Sequence, residues 1–443
     1  MGSFSADQIL VKANSCIKKG KIDEACDLYI KVLNTFPENR RAMQGLINSH
    51  EALVSKHLKT MWFMRRSGQR ETILEQAKIL TKKFTHAFSL WNLLGVLFHD
   101  SGFLNASIEC YEKALKIHPD CAAVHNNMGN TLKDLGDLDN AIKSYGQAIK
   151  IKKNNANTYN NLGLALMLKG DLKAAIASYS EAIKISPNNS NLYTNMGNAE
   201  VNNLDFNAAE KNYRKALAIM PDDAVANHML AALTGATPDT ASKEFVEQLF
   251  DAYAPSFEDA LVNKLQYAMP QVLAKMAIEH QSKKSFGSVL DLGCGTGLIG
   301  LELRGSTQRL EGIDLSSKML KQAKSKEIYD RLIQGDIIEF LTSAELDFNY
   351  YFAADVFIYI GDLFKIFSLI KDRNKEGGKL IFSTEHSEKS GFFLQQSGRY
   401  SHSKSYIQAI CEELDYQMVH FSQVDLRKER EKLISGGIYL LEF

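Results

Sequence analysis

Gly95, Gly129, Gly163 and Gly197 stand 34 residues apart, and so do Tyr111, Tyr145, Tyr179 and Tyr213. Ala114, Ala148, Ala182 and Ala216 keep the interval, Pro119, Pro187 and Pro221 close it, and Lys153 is the one lapse. A period of that length is one supersecondary unit, which buries its apolar face only by stacking on the next. The residue types say how. Gly and Ala let paired helices cross closely, the tyrosine fills the gap beside them, and proline ends the second helix. The beat predicts an all-α solenoid of four helix pairs plus a capping helix over residues 88–235. Residues 6–39 carry Gly20, Ala25, Tyr29 and Pro37 at matching places. Residues 40–87 lose the beat around 56–69, so residues 1–87 read as degenerate helices of the same kind.

This unit resembles the tetratricopeptide repeat (TPR) family. The resemblance implies that the first helix of each unit lines a concave face able to hold a peptide or protein. That helix carries Asn126-Asn127, Asn160-Asn161 and Asn195, with Asn92, Asn130 and Asn198 nearby. An asparagine offers a donor and an acceptor together, so a column of them can pair with an extended peptide whatever its sequence. Asn127, Asn161 and Asn195 resemble the asparagine ladder of O-linked N-acetylglucosamine transferases, and Leu93 breaks the register. The plainer alternative is that asparagine is tolerated on a solvated helix face.

Beyond the turn-rich Thr234-Gly235-Ala236-Thr237-Pro238-Asp239 the grammar changes. A linker is expected over 236–245 and a second domain over 246–443. There SVLDLG, RLEGID, RLIQGD, YYFAADV and KLIFST alternate with helical runs, which argues a parallel sheet covered by helices on both faces. YQMVHFSQV and GGIYLLEF add two strands, the last one expected to be antiparallel. The expectation is a Rossmann-like α/β domain with seven mostly parallel strands.

The first of these strands runs into Asp291-Leu292-Gly293-Cys294-Gly295-Thr296-Gly297 and then a helix. Glycines at such a turn let backbone N–H groups approach a ligand, and the helix start adds more. The next strand ends on Asp314, where a carboxylate can accept both hydroxyls of a ribose. The third ends at Gln334-Gly335-Asp336-Ile337, which adds a further carboxylate. Gly295-x-Gly297-x-x-Gly300 also fits a dinucleotide fingerprint. Against that reading, Gly300 falls inside the helix, Asp291 interrupts an apolar strand, and the Gly335-Asp336 corner is not part of the pattern.

VLDLGCGTG, GIDLSSKML and QGD together resemble the motifs of class I S-adenosylmethionine-dependent methyltransferases, over about residues 246–443. The combination with the repeats resembles a group of predicted bacterial TPR-containing methyltransferases. The resemblance implies S-adenosyl-L-methionine as cofactor and S-adenosyl-L-homocysteine as product. It sets Gly293, Cys294, Gly295 and Gly297 against methionine and ribose, and has Asp291 orient the loop and the ammonium group. Asp314 takes the ribose hydroxyls, Leu315 and Met319 border the cofactor, and Asp336 with Ile337 frames the adenine. Residues 249–257 resemble a lid whose Tyr253 closes over the cofactor.

Methyl transfer from a sulfonium needs alignment and exclusion of water, and a general base only where the acceptor must lose a proton. Ala354–Tyr359 follows the fourth strand and lacks the [DN]-P-P-[YF] pattern of amide and exocyclic nitrogen methylation. Tyr359, Glu385, His386 and His402 are the candidate catalytic residues. Arg399 is the candidate for a substrate carboxylate, and Asp355 for either cofactor or acceptor. The 52 Lys and Arg cancel the 52 Asp and Glu, which speaks against a nucleic-acid partner. No run of about 18 apolar residues predicts a membrane span. The N-terminal MGSFSADQ lacks a secretory pattern, and six scattered cysteines without a C-x-x-C pair suit a cytoplasmic setting. No spacing suggests a metal. The expected function is a methyltransferase whose repeats recruit a peptide, a protein or a partner. The alternatives are a small-molecule enzyme with repeats for assembly, and a non-catalytic scaffold.

Overall fold

The computed structural model describes residues 5–254, 257–258, 267–281, 285–343, 345–374, 376–429 and 432–443. It divides into two compact units, Met1–Pro187 and Asn188–Phe443.

The first unit is a series of helices: α1 (Ala6–Lys18), α2 (Ile22–Thr35), α3 (Arg40–Arg66), α4 (Arg70–Lys83), α5 (Phe88–Asp100), α6 (Leu104–Ile117), α7 (Ala122–Asp134), α8 (Leu138–Ile151), α9 (Ala156–Lys169) and α10 (Leu172–Ile185). A Cβ built on Gly95, Gly129 or Gly163 would lie 2.5, 2.6 and 2.7 Å from the ring of Tyr111, Tyr145 or Tyr179. These tyrosines are almost fully buried, so the glycine and the ring are complementary parts of one crossing. The residues that break the beat do not form a loop. They lengthen α3 to 27 residues, and α4 then completes the pair.

The second unit begins with α11 (Ser190–Asn202), α12 (Phe206–Ile219) and the cap α13 (Ala224–Thr234). Gly197 faces Tyr213 in the same way, with 2.7 Å to the ring. In the first unit Gly136 and Gly170 turn the chain into α8 and α10 at positive φ, just before the N-caps Asp137 and Asp171. Before Asp205, the N-cap of α12, Leu204 takes the turn at φ +63°.

After α14 (Lys243–Tyr253) and α15 (Met269–Glu279) come β1 (Ser288–Leu292), α16 (Leu298–Leu303), β2 (Arg309–Asp314), α17 (Ser317–Ser325), β3 (Arg331–Gln334), α18 (Ile337–Ser343), β4 (Tyr350–Ala353), α19 (Phe364–Arg373) and β5 (Lys379–His386). Then follow β6 (Phe392–Leu394), β7 (Tyr400–His402), α20 (Lys404–Glu413), β8 (Gln417–Glu429) and β9 (Lys432–Glu442). Strands β1 to β5 are parallel in the order β3-β2-β1-β4-β5, and β9 pairs antiparallel with both β5 and β8. These are the seven expected strands. The sheet has nine, because β6 and β7 form a short hairpin that no run of the sequence announced. β7 pairs with Glu385 and His386 of β5, while β9 already holds the other edge of Glu385 and β4 stops opposite Phe382. The hairpin therefore sits just past the carboxyl end of β4. Buried aromatic and aliphatic side chains on both faces, such as Phe367, Phe382 and Tyr439 on one and Phe286, Phe352 and Leu440 on the other, close the sheet between its helices.

Candidate functional site

Parallel strands deliver their carboxyl ends to one edge of a sheet, and the order reverses between β1 and β4. A cavity of about 590 Å³ opens at that edge, lined by residues of α14, the β1–α16 turn, the ends of β2, β3 and β4, and the hairpin.

The turn after β1 is built by backbone geometry. Gly293 has φ +66°, and a Cβ there would meet Val356 at 2.6 Å. Gly295 has φ +53° with open space ahead of it, and its N–H donates to Asp314 Oδ2 at 2.9 Å. Ser316 N–H donates to Asp314 Oδ1 at 2.8 Å, so one carboxylate ties the glycine turn to the start of α17. Burial nonetheless pushes the Asp314 carboxyl up to about 6.

Asp291 is 1% exposed, and its Oδ2 accepts the Tyr329 hydroxyl at 2.5 Å. Burial raises its carboxyl to about 8. The Tyr329 ring lies where Cβ atoms on Gly300 and Gly312 would stand, at 2.5 and 3.0 Å, so those glycines make room for the acid's partner. Gly300 lies within α16. Asp336 Oδ1 accepts Glu339 N–H at 3.0 Å and caps α18, with Lys243 Nζ at 3.8 Å.

Tyr253, Asp291, Gly293, Cys294, Gly295, Asp314, Leu315, Asp336, Ile337, Asp355, Tyr359 and Arg399 line the cavity. Gly297 shapes the turn at φ +90° but is not in the lining. Met319 is fully buried beneath it. The two remaining residues of the expected lid stretch, Pro255 and Ser256, lie outside the described residues.

The catalytic expectations need correction. His402 is fully buried, donates through Nε2 to Gly361 O at 2.9 Å, and is pushed down by burial to about 4. Pairing within the hairpin turns it away from the cavity. His386 is half-buried, 3.3 Å from Glu388 through Nε2, and is not in the lining. Glu385 stands behind the cavity wall, paired with Arg427 and 3.9 Å from Arg399. Arg427 itself, 5% exposed on β8, does line the cavity, as do Tyr267 and Lys365. The sequence offered no signal for Arg427, which sits in the charged run DLRKERE.

The asparagine amides also bond among themselves. Asn127 Nδ2 donates to Asn92 Oδ1 at 3.0 Å, and Asn161 Nδ2 to Asn126 and Asn130 at 3.2 and 3.0 Å. In the first unit these amides thus bond one repeat to the next. Asn195 belongs to α11 in the second unit.

Comparison with known proteins supplies the rest. Residues 95–136, 129–170 and 163–203 match the TPR repeat model, and residues 283–434 match a methyltransferase domain model. The chain joins TPR repeats to a methyltransferase domain. The malonyl-[acyl-carrier protein] O-methyltransferase of Erwinia pyrifoliae is 28% identical over 148 residues, 33% of this chain and 53% of that one. The 2-phytyl-1,4-naphtoquinone methyltransferase of a Nostoc species is 33% identical over 84 residues, 18% of this chain and 36% of that one. A SAM-dependent methyltransferase structure from Leishmania major overlaps 45% of this chain and 83% of its own, with 14% identity and a TM-score of 0.38. The chain spans about half the length, or less, of the curated relatives named here. Among the described residues, no helix is long and apolar enough to cross a membrane.

Proposed function

We propose that this chain transfers a methyl group from S-adenosyl-L-methionine, and that its repeats bring a peptide, a protein or a partner to the reaction. The observation that carries the first half is the Gly295–Asp314 corner. A positive-φ glycine with open space ahead and a buried carboxylate meet there, at the switch point of a parallel sheet.

The residues fit such a cofactor. Asp314 has two oxygens for ribose hydroxyls, and the bare Gly293–Gly295 backbone admits the ribose and amino-acid parts closely. Asp291, buried and costly to ionise, becomes favourable beside an ammonium group. Asp336 and Ile337 flank the place for the adenine, and Tyr253 at the end of α14 stands over the opening. The bound cofactor supplies an activated methyl on a sulfonium. The chain's own part is to hold the acceptor in line and keep water out, which the apolar wall of Val246, Phe250 and Ile358 supports.

The relatives' names point to different acceptors, so they do not choose one. For the repeats, the support is the family alone, since the asparagine amides of the first unit already bond from one repeat to the next. Isothermal titration of the full chain with S-adenosyl-L-homocysteine tests the reading. Saturable micromolar binding that Asp314→Asn weakens supports it, and no heat at millimolar ligand overturns it.

A further inference from the structure

The acceptor end of the cavity carries an unusual charge arrangement. Arg427 reaches it from β8 and Arg399 from the β6–β7 hairpin, and both share one carboxylate, Glu385, which stands behind the wall. Lys365 lines the mouth. Among the acids of the lining, Asp355 stands beside Arg427, and its oxygens are engaged. Ser383 Oγ donates to it at 2.8 Å, and Arg427 Nη1 lies 3.7 Å away. Asp355 is fixed by its backbone too, at φ +55° with its N–H on Ser383 Oγ. Both guanidinium groups thus line the cavity, and the Glu385 carboxylate that they share does not.

A second observation points the same way. Among the described residues no histidine lines the cavity, and burial with the Asp355 carboxylate pushes the Tyr267 phenol well up. An acceptor that must lose a proton would have to pass it to Asp355, whose oxygens are already engaged. An acceptor already anionic needs no base.

We infer that the acceptor is a carboxylate carried on an apolar chain, held by Arg399 and Arg427, and that it leaves as a methyl ester. This rests on the methyl-donor reading above. A carboxylate oxygen forms the new bond to the methyl carbon as the carbon–sulfur bond of the sulfonium donor breaks, with the electron pair left on sulfur. No proton moves. Arginine suits the task because its planar fork meets both carboxylate oxygens and stays charged at any working pH.

The test uses the full chain saturated with S-adenosyl-L-homocysteine and three probes of equal length: hexanoate, hexanamide and 1-hexanol. Calorimetry is expected to show hexanoate binding about 10-fold or more tighter than either neutral probe, the worth of a charge-assisted pair. Arg399→Gln, at a partly exposed position, is expected to remove that preference, and Arg399→Lys to restore part of it. S-adenosyl-L-homocysteine affinity is expected to stay within about twofold in both variants. With a methyl-labelled donor, the hexanoate product should release volatile methanol in alkali. Equal binding of the three probes, or an Arg399→Gln variant that keeps the preference, overturns the carboxylate assignment alone. Failure of S-adenosyl-L-homocysteine to bind overturns both readings.

Discussion

The most exacting test of the site is Asp291→Asn measured against pH. Asp291 sits in an apolar strand at 1% exposure, and one phenol hydrogen bond does not offset the loss of water around its charge. Its carboxyl is raised from 3.8 to about 8. Between those values the folded chain keeps a proton that the unfolded chain has released, so stability falls as pH rises. Its contribution is fully present below about pH 4, declines through the window and is gone above about pH 8, at about 1.4 kcal/mol for each unit. Across the whole window that is on the order of 5 kcal/mol. Asparagine is nearly isosteric, still accepts from Tyr329, and cannot ionise.

The variant should therefore match the wild type near pH 4 and exceed it increasingly up to about pH 8. Hydrogen exchange of the β1 and β2 amides reads this locally, without interference from the repeats, because those amides open only with the sheet. A flat difference between the two proteins from about pH 4 to about pH 8 would refute the reasoning. The same substitution is expected to weaken a ligand bearing an ammonium group by about 10- to 100-fold, the worth of a charged hydrogen bond. A residue that destabilises the empty fold but holds the ligand is the pattern expected of a binding position.

Asp314→Asn is expected to weaken S-adenosyl-L-homocysteine about 10- to 100-fold, and wild-type affinity should decline below about pH 6 as Asp314 takes up a proton, while the variant stays flat by titration calorimetry. Gly163→Ala gains about 1 kcal/mol in helix propensity but drives a methyl to 2.7 Å from the Tyr179 ring, an overpacking cost of about 1–3 kcal/mol. Urea unfolding should show net destabilisation, and a stabilised variant would contradict the crossing described above. His228→Ala removes the bond from Nε2 to Gly398 O at 2.8 Å and the stack on Phe245 at 4.0 Å. It should loosen residues 392–402 in hydrogen exchange and raise the acceptor KM, with donor affinity unchanged, because Gly398 precedes Arg399.

What could be read from the sequence was whatever the chain keeps close together or repeats. The 34-residue beat was legible because each glycine meets a tyrosine of its own unit, 16 positions on, in every strong repeat. The extended α3 was not, because its added residues keep helical character while shifting the count. Gly293, Gly295, Asp314 and Asp336 could be grouped beforehand because parallel strands bring their ends to one edge, whatever the intervening distance in sequence.

The acceptor side obeys no such rule. Arg427 reaches the cavity only because β8 pairs with β9 through a register shift between Asp425 and Arg427, and β9 pairs with β5. A slip of one residue would turn that guanidinium to the other face of the sheet. His402 failed as a base candidate for the converse reason. The hairpin that holds it past the end of β4 exists through pairing with Glu385 and His386, and that pairing buries the imidazole against Gly361 while it delivers Arg399 to the wall. The same pairing that withdraws the expected base brings one cation, Arg399, to the wall. A histidine base at this edge would require β7 to leave β5, and that would take Arg399, one half of the proposed clamp, from the wall.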